Sequence, residues 1–134
     1  MNNIISLSYI YDVQFTNTML EFNRSKRTGL KVADQEISII ARALSHPARI
    51  EILRILAKQG ECTCSQIEKE LSYYAQSTVS QHLGYLRKAE LLLAFIDGNK
   101  SLYQINWIRF AKFHKDYSAM YASFRSDYAK VVYS

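Results

Sequence analysis

Proline and glycine are scarce in this chain, with one Pro and four Gly in 134 residues. That excludes a collagen-like or Pro/Gly-rich disordered chain and predicts mostly regular structure. Cysteine is limited to Cys62 and Cys64, one residue apart and too close for a disulfide framework, so a reducing cytoplasm is the expected location. No apolar run is long enough to span a bilayer, and the start lacks the basic, apolar and small-residue order of a signal peptide. No P-loop, GxGxxG, Ser-His-Asp or paired-carboxylate arrangement appears, so an enzyme is not expected. Charge is only mildly one-sided: Lys plus Arg is 17 and Asp plus Glu is 12, a net +5. A basic balance suits a polyanionic partner. The excess is not focused, however, because residues 47–105 hold seven basic and six acidic side chains. Any reading of a polyanion must therefore rest on arrangement.

Hydrophobic residues make up 49% and charged residues 22%, which fits one compact globular domain with a modest core. Residues 1–33 carry scattered apolar positions (Ile4, Ile5, Leu7, Ile10, Tyr11, Phe15, Leu20, Phe22), and a polar, basic connection at 24–29. They form an N-terminal extension, irregular or used in dimerisation. From Asp34 the pattern sharpens, with Ile37, Ile40 and Leu44 at helical spacing. Ser45 is expected to cap the next helix, with Pro47 in its first turn. Ile52, Leu53, Leu56 and Ala57 form its buried stripe, and Gly60 ends it.

Thr63-Cys64-Ser65-Gln66 is a capping box that opens a short helix facing inward with Ile67 and Leu71. Residues 71–75 make a turn. The helix that follows, about 76–89, buries Val79, Leu83 and Leu86. Leu91–Ile96 and Ser101–Ile105 read as strands joined by a hairpin at Asp97-Gly98, giving a wing over 94–104. Asn106 caps a final long helix on which Phe110, Phe113, Tyr117, Met120, Phe124 and Val131 follow a three-four spacing, with Asp127 breaking it. Nine of the 17 aromatic residues lie in 103–134. A helix so apolar on one edge needs a partner surface.

The order is helix, turn, helix, β-wing: a mainly α fold with a small β-hairpin wing, a winged helix-turn-helix. Its second helix is the kind that enters a DNA major groove. With Val79 at the core, rotation of about 100° per residue turns Ser77, Gln81, Gly84 and Lys88 outward, flanked by Thr78, Ser80, Tyr85 and Arg87. Gln76, Ser77, Thr78, Ser80 and Gln81 are the candidates for base or near-base contacts. Arg87, Lys88 and the wing residues Asn99 and Lys100 are the candidates for phosphates. Tyr85 either stacks on the sugar–phosphate or packs beside the wing. The alternative for a single polar face is a solvated surface that touches nothing.

Two stretches give a resemblance. Ala43-Leu44-Ser45-His46-Pro47-Ala48-Arg49-Ile50-Glu51-Ile52-Leu53, followed by Gln76-Ser77-Thr78-Val79-Ser80-Gln81-His82-Leu83-Gly84-Tyr85-Leu86-Arg87-Lys88-Ala89, resemble the ArsR/SmtB family of winged-helix repressors. The likeness covers roughly 34–106 and leaves residues 1–33 outside. It implies a cytoplasmic homodimer on double-stranded DNA, with first and last helices pairing, and a ligand that controls operator affinity. The last helix, 107–134, would then dimerise through Phe110, Phe113, Tyr117, Met120 and Phe124.

Metal sensors of that family carry a Cys-x-Cys near Cys62 and Cys64, so a soft metal or zinc is an alternative here. Two thiolates are too few for zinc, and the pair is shifted by one residue against the family pattern. Cys62 before the cap and Ile67 at N4 also hold the positions of a hydrophobic staple, so no metal is assigned. His114 and Asp116 lie where the family's zinc sensors place ligands, but no second His follows. His46 and His82 suit capping and packing. The function expected is a sequence-specific homodimeric repressor. The alternatives are a winged-helix protein-interaction module without operator binding, or a metal- or thiol-responsive sensor through Cys62 and Cys64.

Overall fold

The computed structural model describes residues 31–134. The expectations placed on residues 1–30 lie outside the described residues. Helix α1 (Val32–Ala43) buries Ile40 and Ala43, and the line drawn between residues 33 and 34 passes through its first turn. Helix α2 (Pro47–Gln59) begins with Pro at N1. Its cap is His46, whose Nδ1 accepts from the Ala48 N–H at 3.1 Å. Ser45, expected as the cap, instead closes α1, its hydroxyl donating to the Arg42 carbonyl at 2.7 Å. The reason is geometric. A cap must reach the N2 or N3 amide from the position just before N1, and with Pro47 at N1 that position is 46.

Ile52, Leu53, Ile55 and Leu56 are buried on α2, while Ala57, expected in the stripe, is exposed. The stripe centres on Ile52 and Leu56, and Ala57 lies about 100° further round than Leu56. Gly60 ends the helix with φ 82°, a conformation that glycine adopts without strain.

The capping box forms as expected. Thr63 Oγ1 accepts from the Gln66 N–H at 3.2 Å, and Gln66 Oε1 accepts from the Thr63 N–H at 2.8 Å. It opens α3 (Cys64–Glu70), which buries Ile67. Leu71 is buried at the head of the turn, and the Tyr74 N–H donates back to the Leu71 carbonyl at 2.9 Å. Helix α4 (Gln76–Lys88) follows, burying Val79, His82, Leu83 and Leu86. Each large aliphatic contributes roughly 1.5–3 kcal/mol by leaving water.

Helix α4 stops in a Schellman motif. The Leu91 N–H donates to the Leu86 carbonyl at 3.0 Å, and the Glu90 N–H to the Arg87 carbonyl at 2.8 Å. Glu90 takes the left-handed conformation usually given to glycine, with φ 63°. Leu86 and Leu91, both fully buried, supply the apolar contact that accompanies this ending.

The wing has three strands where the sequence predicted two. Strands β1 (Cys62–Thr63), β2 (Leu92–Asp97) and β3 (Lys100–Ile105) form an antiparallel sheet in the order β1-β3-β2. Leu92 pairs with Ile105, Asp97 with Lys100, and Cys62 with Tyr103. A two-residue strand carries no periodicity, so β1 left no signal. The loop is Gly98-Asn99, with Gly98 at φ 62°, as a tight hairpin needs. Leu92 to Phe95 are buried at the base, while Ile96 and Asp97 stand exposed towards the tip.

Helix α5 (Trp107–Val132) is capped by Asn106, which accepts from the Arg109 N–H at 3.2 Å. It packs on α1. Arg109 pairs with Glu36 across that contact and both are largely buried. No helix of the described residues is long and apolar enough to cross a membrane.

Removing the cap hydroxyl at Thr63 frees the Gln66 amide at the start of α3, while the bond from the residue-63 N–H to Gln66 Oε1 remains. Thr63→Ala is expected to lower the unfolding free energy by about 1 kcal/mol, measured by urea denaturation with the slope unchanged.

Candidate nucleic-acid interface

Burial sorts α4 into two faces. Val79, Leu83 and Leu86 are at most 1% exposed, while Gln76, Ser77, Ser80, Gln81, Gly84, Arg87 and Lys88 are all exposed. Thr78 is half-buried at the edge, and Tyr85 is 54% exposed. The outer face therefore carries amides, hydroxyls and cations at positions predicted from spacing alone. Gly84 has nothing within 4 Å of where a Cβ would stand, so the middle of this face is low and open. Helix α4 packs on α2, α3 and β2, which ties the face to the sheet that carries Asn99 and Lys100. Both wing residues are exposed.

Arg87 is partly committed inward, because its charge and hydrogen-bonding capacity act on the Tyr103 hydroxyl on β3. Five N–H donors leave others for a phosphate. Burial, with a smaller contribution from Cys64, pushes the Tyr103 hydroxyl up, and Arg87 opposes it.

Arg49 on α2 joins this face, a contact that helical spacing does not signal. It is 9% exposed, and its Nε donates to His82 Nδ1 at 3.2 Å. Its guanidinium carbon lies 4.1 Å from the Tyr85 ring centroid. The rings of His46 and His82 stand 4.3 Å apart. Tyr85 therefore packs towards α2 on one face, an outcome the two expected roles did not include. The available signal was a charged residue on the apolar side of α2, three residues before Ile52.

Of the dimerisation candidates, Phe110 and Phe113 pack against the core of their own chain. Met120 is half-buried, Tyr117 is 48% exposed and Phe124 is 64% exposed. Beyond Tyr117 the stripe continues through Tyr121, Tyr128 and Val131, all exposed.

The cysteines hold their protons. Cys62 is fully buried in the core that contains Ile67, and its Sγ donates to Gln59 Oε1 at 3.0 Å. Burial, then Glu70 and Glu61, push its thiol up. Cys64 donates to Glu68 Oε1 at 3.2 Å, and burial followed by that carboxylate pushes its thiol to about 11. Metal ligation and nucleophilic chemistry both need thiolate. Among the described residues no group of three or more His, Cys, Asp or Glu stands together as a metal site. His114 is exposed, and Asp116 is paired with Lys112 at 2.5 Å.

An exposed polar helix behind a short capped helix, backed by a three-stranded wing, defines a winged helix-turn-helix protein. The chain belongs to the arsR family of bacterial regulatory proteins, whose model matches residues 46–93. It is 38% identical over 72 residues to the arsenical resistance operon repressor of Staphylococcus xylosus, covering 54% of this chain and 67% of that one. It is 39% identical over 67 residues to an uncharacterised HTH-type transcriptional regulator of Methanocaldococcus jannaschii, covering 49% of this chain and 73% of that one. Its fold is shared with an ArsR-like transcriptional regulator from Rhodococcus, with a TM-score of 0.65 and 21% identity over 72% of this chain and 90% of the other. The family is one of transcriptional regulators, and its members are not enzymes.

The thiol environments carry a consequence for reactivity. At pH 7.5 both cysteines of the folded chain should react with a disulfide reagent at least about tenfold more slowly than a cysteine in an unstructured peptide. Absorbance of the released thiolate would follow this, with the full rate returning in denaturant.

Proposed function

We propose that this chain is a homodimeric, sequence-specific DNA-binding repressor that places α4 in the major groove and its wing on the flanking backbone or minor groove. The observation that carries this reading is the two-faced burial of α4. One side is sealed into the core, and the other presents Gln76, Ser77, Ser80 and Gln81 around an open Gly84. Glutamine reads adenine bidentately and hydroxyls serve bases or phosphates, while Lys88, Arg87, Asn99 and Lys100 suit the sugar–phosphate backbone. Membership of a regulator family and likeness to a protein named as a repressor support it. Two copies related by a twofold axis would read half-sites about one helical turn apart.

The seam is proposed along α5, where the aromatics of the stripe after Tyr117 are exposed among the described residues. Phe110 and Phe113 divide their surface between their own core and that seam. A protein-interaction module would use the same stripe with a foreign partner. A sensor working through Cys62 and Cys64 would have to remove protons that both environments retain.

Selection of duplexes from a random pool tests binding, symmetry and spacing together. On the selected duplex, Gln81→Ala should weaken binding by about 1–3 kcal/mol and relax preference at one base pair. Lys88→Ala should weaken binding to all sequences and lower the salt slope by about one unit. Fluorescence titration at several salt concentrations separates the two, and identical behaviour of both variants and wild type would remove the groove-reading arrangement.

Phe124→Glu tests the seam. The side chain is exposed in one subunit, so monomer stability should move within about 0.5 kcal/mol. Light scattering should nonetheless report a monomer, with operator affinity lost. A dimer that persists would place the interface elsewhere.

A further inference from the structure

Arg49 is nearly sealed from solvent and takes part in none of the ion pairs of the described residues. A guanidinium stays charged at any physiological pH, and burying it without a carboxylate is unfavourable. Its donors go to neutral acceptors instead. Nη1 donates to the carbonyls of Arg42 at 3.0 Å and Ala43 at 3.4 Å, and Nε donates to His82 Nδ1. The carbonyl end of α1 and the π face of Tyr85 supply the compensating negative potential. One side chain on α2 thus grips the end of α1 and two residues of α4, His82 on the buried side and Tyr85 on the outer flank.

We infer that Arg49 is a positioning residue for the DNA-reading helix, fixing the rotation of α4 and the plane of the Tyr85 ring, and that its hold is released when His82 takes up a proton. The inference rests on the DNA-binding reading above. Arginine has donors only, so His82 Nδ1 must offer a lone pair. A proton there turns the contact into two opposed donors and two like charges. Among the described residues, the groups facing His82 are the His46 ring, Arg49 and the Tyr74 ring, whose centroid is 6.2 Å away. None of them is negatively charged near neutral pH. His46 Nδ1 is itself occupied in accepting from Ala48.

Burial, then His46 and Arg49, hold His82 below the ordinary histidine value. The neutral, gripped form therefore prevails at neutral pH. It is the form with fewer protons, so acid favours release, beginning as pH falls below about 6.5 and completing through the lowered value. The sign is diagnostic. Histidines that merely gained charge near DNA would strengthen binding in acid through added phosphate attraction.

The test is anisotropy of the selected duplex with the full chain, between pH 7.5 and 5.5 at constant ionic strength. Wild type, His82→Asn, His46→Asn and Arg49→Lys are compared. Asparagine at 82 retains an acceptor near the Nδ1 position and cannot titrate. Wild-type specific affinity should fall by about tenfold in acid, an ordinary size for coupling. His46→Asn should keep that fall, and His82→Asn should lose it. Arg49→Lys should bind more weakly at pH 7.5 and show no further fall. A wild-type affinity that is level or rises in acid overturns the inference, as does a fall that survives in His82→Asn or vanishes in His46→Asn.

Nuclear magnetic resonance of the DNA-free chain gives an independent reading. The Tyr85 ring resonances should move in step with the titration of His82 in wild type and stop doing so in Arg49→Lys. A Tyr85 ring indifferent to His82 overturns the positioning role. If no duplex is selected at all, the DNA-binding reading fails, and this spectrum still decides whether Arg49 couples the two residues.

Discussion

The burial of one face of α4 is the constraint on which everything outward depends. Val79, Leu83 and Leu86 lock the helix into the core by removing their aliphatic surface from water. Because a helix turns about 100° per residue, fixing those three fixes the direction of Ser77, Gln81 and Lys88 as well. Apolar burial is non-directional, however. It sets which side faces in and leaves the helix some freedom to roll and slide. Finer placement needs directional contacts, and these sit at two levels along α4.

At one level is Arg49, with its bonds to His82 and to the end of α1. At the other is the helix end, where Arg109 Nε donates to the Ala89 carbonyl at 3.3 Å and Asn106 Nδ2 to the Glu90 carbonyl at 3.0 Å. Both arginines also reach α1, Arg49 through the carbonyls of Arg42 and Ala43 and Arg109 through Glu36. Helix α1 is thus a common anchor for both levels, and α5 begins at the residues that hold the end of α4. Any shift between α1 and α5 would reach α4 through short, charge-assisted links of this kind. No long chain of packed side chains is required.

Much of this was legible in the sequence, and the gaps have physical reasons. The order of helices, the outward face of α4, the capping box, the Asp97-Gly98 hairpin and the Asn106 cap all follow from rules spanning a few residues. Ser45 was misplaced because two neighbouring residues can each cap, and only the position of Pro47 at N1 decides between them. Strand β1 was invisible because its two residues gain their extended form from pairing with β3. Arg49 was missed because its partners are 33 and 36 positions away on α4, and no local periodicity encodes a contact between elements.

Helix α5 shows the same division between local and distant information. Its apolar stripe has a regular three-four spacing from Phe110 to Phe124, so the sequence presents one continuous surface. The fold splits it. Phe110 and Phe113 pack on the subunit's own core, and from Tyr117 onward the aromatics stand in water. The two parts carry different energies: the first stabilises the subunit, and the second leaves its apolar surface exposed among the described residues. Large contiguous exposed apolar patches of this kind mark interaction sites. Asp127, inside the stripe and paired with Lys130, interrupts the apolar run short of its end. The proposed seam along α5 would therefore centre on the turns from Tyr117 to Phe124, where exposed aromatics precede Asp127.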